Sequence, residues 1–161
     1  LGMMGSGKSS IGKLVSIKLS YKFIDIDNLI EDELNMSISD IFKKEGEAYF
    51  RNLEEKITLK ALKPIGSVVS LGGGSFINEK VRKEVLANHT SFWLNCNESV
   101  LIKRIKNNKK RPLVLNSPKQ EIQQLIRKRS KIYAKAQFKI NCNKLTKAEI
   151  VRKITKIYEL N

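Results

Sequence analysis

The chain has 161 residues, 41% of them hydrophobic and 29% charged, which suits one ordinary domain with its own core and excludes a disordered or fibrous polymer. No apolar run approaches the ~20 residues of a bilayer span, and the two cysteines, Cys96 and Cys142, sit in no CxxC or Cys/His cluster, which argues against a disulfide scaffold or a zinc module. The net charge of +15 is lopsided: residues 1–79 hold ten basic and eleven acidic side chains, residues 80–161 twenty-one and five.

The basic half carries its lysines at helical spacing without interleaved aromatics. It reads as a solvated surface rather than a base-stacking one, so neither nucleic acid nor a membrane is expected as a partner. With Leu1 running straight into the first motif no secretory leader is expected, and the cysteine usage suits a reducing cytoplasm.

The chain opens on Gly2-Met-Met-Gly5-Ser6-Gly7-Lys8-Ser9, which matches GxxxxGK[ST]. Glycines let consecutive backbone N–H groups turn toward phosphate oxygens, and the helix that follows points its positive end at the same anion. Lys8 supplies a compact charge for the β- and γ-phosphates, and Ser9 a hydroxyl for Mg²⁺. Ile11, Leu14, Val15 and Leu19 recur at helical spacing, predicting a helix over Lys8–Leu19. Such a loop normally follows a buried strand, of which at most Leu1 is present, so the first strand of the sheet is expected to be largely missing.

Strands are predicted at Phe23–Ile26, Ser67–Leu71, Thr90–Leu94 and Phe138–Asn141, each short and without clean polar alternation, as in a sheet buried on both faces. Helices are predicted at Glu45–Leu62, Glu79–Asn88, Glu98–Lys106, Glu121–Ala136 and Lys147–Glu159, the last opened by the capping-box spacing of Thr146 and Glu149. This alternation predicts a three-layer α/β domain with a parallel sheet.

Asp25-Ile26-Asp27 closes the first of these strands. In extended chain both carboxylates point one way, one toward a metal and one toward a hydroxyl proton; the structural alternative is a helix N-cap at Asp27. In Phe50-Arg51-Asn52-Leu53-Glu54, Glu54 falls on the apolar helix face and Arg51 borders it. That spacing makes either a preset clamp for a carboxylate or a plain structural ion pair. Gly72-Gly73-Gly74 permits close backbone approach to a small ligand, or is a simple turn. Arg129 falls among Ile122, Leu125, Ile126 and Tyr133 on a core-facing stripe with no acid following it in that helix. Its partner must be a carboxylate from another element or a bound anion. Arg104 and Arg111 bracket a basic run, with Arg111-Pro112 at the mouth of a polar loop over 107–119 that is expected to act as a lid. His89, Trp93, Cys96 and Cys142 read as packing residues.

Taken together and in this order, GSGKS at 5–9, DID at 25–27, FRNLE at 50–54, LGGG at 71–74, RPL at 111–113 and RSKIYAKA at 129–136 resemble the shikimate kinases, a family of small P-loop kinases similar to the nucleoside-monophosphate kinases. The resemblance runs from Gly2 to about Tyr158. It implies one P-loop kinase domain over 1–161 with a five-stranded parallel sheet of order 2-3-1-4-5, a substrate-binding helical region about 28–61 and the lid about 107–119. It implies a monomer that transfers the γ-phosphate of ATP to the 3-hydroxyl of shikimate with Mg²⁺. By the same resemblance Gly5, Ser6, Gly7, Lys8, Ser9 and Ser10 cradle the phosphates, Ser9 and Asp25 serve the metal, and Asp27 binds the substrate hydroxyls and assists deprotonation. Arg51, Arg129, Gly73 and Gly74 hold the substrate, Glu54 orients Arg51, Arg111 is the lid arginine and Arg104 stacks on adenine. Departures are Val114 in the RPL segment, Lys135 where the family often has an acid, and a stretch from Asn143 to Lys147 without the usual Pro or Arg. Two rival activities share parts of the pattern: a gluconokinase-like sugar-acid kinase, and a nucleic-acid-stimulated ATPase using the basic half.

Overall fold

The computed structural model describes residues 1–107 and 117–161. After the glycine loop, α1 (Lys8–Leu19) leads to β1 (Lys22–Asp25), α2 (Ile26–Leu34) and α3 (Ile38–Leu62), then β2 (Ser67–Ser70) and a 3-10 turn (Ser75–Ile77). The rest is α4 (Glu79–Asn88), β3 (Phe92–Asn95), α5 (Glu98–Lys106), α6 (Lys119–Tyr133), β4 (Phe138–Asn141) and α7 (Lys147–Glu159). The expected lid at 107–119 falls largely outside the described residues, and Arg111 wholly so.

All strand pairs are parallel. β1 pairs with β2, Asp25 lying opposite Ser70, and β3 pairs with β4, Asn95 lying opposite Asn141. The described residues thus form two two-stranded sheets, and the continuous five-stranded sheet is not among them. Leu1 borders β3: its nitrogen donates to Phe92 O at 2.7 Å and its carbonyl accepts from Leu94 N at 2.9 Å. A cavity of about 360 Å³ separates β2 from β3, with Leu1, Val68, Val69, Phe92 and Leu94 on its wall.

Burying an Ile or Phe side chain stabilises by roughly 1.5–3 kcal/mol, and two clusters do this here. One joins Ile26, Ile30, Ile41, Phe50, Phe76, Val81 and Trp93. The other sets Ile11 and Val15 of α1 against Leu94, Ile140, Ile150 and Ile154. The predicted capping box is present: Thr146 Oγ1 accepts from Glu149 N, and Glu149 Oε2 accepts from Thr146 N.

Several boundaries differ from expectation, β1 and β2 by one residue and α6 by two or three, and three differences have a local cause. β3 starts at Phe92 rather than Thr90, because Ser91 is occupied by Gln137, whose Oε1 accepts from Ser91 N at 2.8 Å. α3 starts a full turn and more before Glu45, capped by Ser37, with a break at Gly46 (φ 81°) that hid its periodicity. At DID, the chain turns helical directly after Asp25. Asp25, not Asp27, is the N-cap, its Oδ1 accepting from Asp27 N at 3.0 Å. The two carboxylates therefore belong to a strand end and a first helical turn, not to one extended segment.

Candidate active site

The loop from Gly2 to Gly7 ends in a left-handed residue, Gly7 (φ 90°), which serves as N-cap of α1. A side chain there would be strained. Ile11 N returns to Gly7 O at 2.9 Å as the first bond of the helix, and the N–H groups of a helix's first turn point toward its N-terminus, where an anion is favoured. Ser6 N–H donates to Met3 O at 3.1 Å, and its Oγ is buried with no hydrogen-bond partner among the described residues. Lys8 Nζ curls back to Met3 O at 3.1 Å, holding the ammonium over the loop.

Gly5, Ser6, Gly7, Lys8, Ser9, Ser10, Asp25, Asp27 and Arg104 line one cavity of about 850 Å³. Arg104 reaches it from α5 and donates from Nη1 to Gly5 O at 3.0 Å, tying that helix to the loop.

The second half of the site is assembled on the triple glycine. Glu54 is 3% exposed, and its two oxygens are divided between Arg51 Nη1 at 2.7 Å and Ser75 Oγ at 2.8 Å. Arg51 also donates from Nε and Nη2 to Glu47 Oε1 and lies over the ring of Phe50, 5.1 Å from its centroid. Burial alone would lower the Arg51 pKa, but Glu54 and Glu47 outweigh it and hold it above the ordinary guanidinium value. Arg129 behaves in the opposite way. Burial pushes its pKa down and the like charge of Arg51 adds to that. It donates from Nη1 to Gly73 O at 3.3 Å and meets the phenol of Tyr133, which itself donates to Gly73 O. Among the described residues no carboxylate forms a salt bridge with Arg129; Glu54 acts on it through its charge.

The two halves meet at the glycines. A Cβ on Gly72 would lie 2.9 Å from Asp27 Oδ1 and from Ser75 Oγ and would press on Glu54 Oε1. One on Gly73 would stand 3.5 Å from Met4 N of the first loop and 3.7 Å from Arg129 Nη1, and one on Gly74 would overlap Arg51 Nη1. Asp27, Arg51, Gly73, Gly74 and Arg129 thus come together beside the glycine loop; Arg111 is the one predicted site residue outside the described chain.

Four contributors were not anticipated. Glu47 and Tyr133 stand at i,i+4 from Arg51 and Arg129, a spacing that signals a helical pair. Ser75 directly follows the glycines, with no sequence signal that it would hold Glu54. Cys96, read as packing, lies at 3.6 Å from Ser6 O.

The shikimate kinase family pattern matches residues 4–159. A shikimate kinase from Sulfurihydrogenibium sp. is 42% identical over 158 residues, 98% of this chain and 95% of the relative. Among solved structures, the shikimate kinase of Acinetobacter baumannii in complex with shikimate has a TM-score of 0.93 at 27% identity, with 99% of this chain and 90% of that one covered. That of Aquifex aeolicus has a TM-score of 0.89 at 36% identity, covering 99% and 94%. A phosphate-binding turn, a carboxylate pair and a two-arginine hollow on one edge of a parallel α/β fold, matched along nearly the whole length, place this chain in the shikimate kinase family, the ATP-dependent phosphotransferases of aromatic amino-acid biosynthesis.

Proposed function

We propose that the site divides the reaction as follows. ATP lays its phosphates on the N–H groups of Gly7, Lys8, Ser9 and Ser10, with Lys8 on the transferring group and Arg104 beside the base. Shikimate sits on Gly73 and Gly74 with its carboxylate between Arg51 and Arg129 and its 3-hydroxyl at Asp27. Asp27 accepts the hydroxyl proton, the oxygen attacks the γ-phosphorus in line, and ADP leaves. Arg111 is assigned to the lid over 107–119. The helical region 28–61 belongs to substrate binding within a single domain over 1–161.

The Ser9 hydroxyl and the Asp25 carboxylate are hard oxygen donors on one cavity wall, which suits Mg²⁺, an ion that keeps waters and uses few protein ligands. When bound there it neutralises phosphate charge. In the sheet order 2-3-1-4-5 the segment at Leu1 counts as strand 1 and β1–β4 as strands 2–5; the bonds of Leu1 to Phe92 and Leu94, which set it beside β3, support that order. We further assign the protein to the cytoplasm as a monomer without nucleic-acid or membrane partners; among the described residues no helix is long and apolar enough to cross a membrane.

The observation that carries this reading is Arg129, buried beside Arg51 without a carboxylate of its own. An anion with a hydroxyl within reach of Asp27 completes the charge. ADP release measured with ATP and shikimate, ATP and gluconate, and ATP with DNA or RNA tests it. Turnover only with shikimate is expected; equal turnover with gluconate, or stimulation by nucleic acid, would sink it.

A further inference from the structure

Beyond the last paired residues of β3 and β4, the two cysteines come to lie side by side. Asn95 and Asn141 are register partners, and Cys142 N extends the ladder to Asn95 O at 2.8 Å. Cys96 and Cys142 are therefore the next positions on neighbouring parallel strands, and such positions are about 4.8 Å apart. That lies inside the Cα separation of roughly 4.4–6.8 Å that a disulfide spans. Each thiol donates to a nearby backbone carbonyl, Cys142 Sγ to Ile140 O at 3.4 Å. Both side chains are half-buried and line the cavity that holds Lys8 and Ser9, open to a small solute. Cys96 also touches the anion-binding loop itself, its Sγ donating to Ser6 O at 3.6 Å.

We propose that Cys96 and Cys142 form a redox modification site, closed by hydrogen peroxide to an intramolecular disulfide that weakens nucleotide binding. The Cys96 sulfur attacks the peroxide oxygen, the O–O bond breaks, and a sulfenic acid forms with release of water. The Cys142 sulfur then attacks the sulfenic sulfur, the S–O bond breaks and a second water leaves. Two thiols are oxidised by two electrons and one peroxide is reduced, so no further reactant is needed.

The surroundings favour Cys96 as the attacking sulfur. Cys142 beside it comes first, then the positive charges of Arg104 and Lys8, and together they bring its pKa down to about 7 against the effect of burial. Cys142 is raised by the same pairing and stays protonated as the resolving thiol. The coupling to nucleotide is local. The bridge replaces two thiols on the wall of the cavity that holds Lys8 and Ser9 and ties the segment after β4 to β3. An effect on the scale of one contact corresponds to roughly a two- to ten-fold weaker affinity. By reciprocity, bound nucleotide must disfavour the bridge at equilibrium.

The proposal rests on the nucleotide assignment of this cavity, so the test reads thiols and nucleotide separately. The reduced protein is treated with hydrogen peroxide, then followed by thiol alkylation, intact mass, and ATP binding before and after. Expected are joint loss of both thiols with a mass lower by two hydrogens, reversal by dithiothreitol, a bridge reduced at lower dithiothreitol concentration with MgADP bound, and an ATP affinity reduced two- to ten-fold with shikimate affinity unchanged. In Cys142→Ser, Cys96 should gain oxygen and form no internal bridge. Separate oxidation of the two thiols, disulfides only between molecules, or a bridge that leaves ATP affinity unchanged would overturn the proposal. Failure of the reduced protein to bind ATP would overturn the nucleotide assignment, and the coupling with it, while the thiol counts would still judge the bridge.

Discussion

Arg51 Nη1 donates to Glu54 Oε2 at 2.7 Å, and the two side chains differ sharply in exposure, 34% for Arg51 against 4% for Glu54. The acid is the fixed partner and the arginine the one that faces outward. Glu54→Ala would strand Ser75 Oγ and leave Arg51 to Glu47 alone. Breaking a buried pair of this kind costs on the order of 3 kcal/mol. The expected result is a lower thermal midpoint together with a KM for shikimate raised by about ten-fold or more, and an ATP KM close to wild type, from steady-state assays.

Arg129 predicts the reverse balance. It is buried beside a like charge, so Arg129→Met should hold or raise the thermal midpoint of the substrate-free protein while shikimate binding collapses, by roughly 2 kcal/mol or more for a lost charged contact. Calorimetry with shikimate and with ATP, beside a thermal melt, checks both halves. A fall in stability with equal loss of both ligands would make Arg129 structural.

Asp27→Asn keeps the shape of the first turn of α2, and the N-cap bond runs through the Asp27 backbone, not its side chain. Turnover should fall by roughly 10²–10⁴-fold, the range of a lost general base, with ATP affinity retained. Unchanged turnover would remove Asp27 from the chemistry.

Tyr133→Phe removes the hydroxyl that donates to Gly73 O. A buried carbonyl left short of a donor costs about 1–3 kcal/mol. Stability should fall by that amount in urea unfolding, and shikimate KM should rise more than ATP KM because Gly73 also carries Arg129.

The cap of α7 sets a pH dependence. The Thr146 backbone N–H, then its hydroxyl, hold the Glu149 pKa below the ordinary glutamate value. A carboxylate lowered in the folded state stabilises above its unfolded pKa and loses that contribution as pH falls through the folded one. Glu149→Gln should therefore lower the thermal midpoint at neutral pH, and the difference from wild type should vanish in acid.

Much of the site could be read from spacing. Lys8 and Ser9 follow from the glycine loop and the helix after it, and the inward position of Glu54 follows from its place among Phe50, Leu53 and Ile57. Arg129 on a stripe of apolar residues already demanded a counter-charge. What spacing could not show was the turn at Asp25, since a strand-to-helix change within one residue leaves no periodicity to detect. Nor could it show Ser75 on Glu54 or Cys96 against Ser6, which are 21 and 90 residues apart in sequence. Such contacts depend on how the strands are ordered, and local pattern is silent on that.

The hollow owes its shape to missing atoms. A methyl group on residue 74 would collide with Arg51 and one on residue 72 with Glu54, so the wall between the phosphate turn and the arginines is backbone with nothing to trim. Attempts to widen acceptor choice by redesign have no purchase on that wall. They must exchange the guanidiniums themselves, and a variant that accepts an uncharged alcohol should come from residues 51 and 129 before any other position.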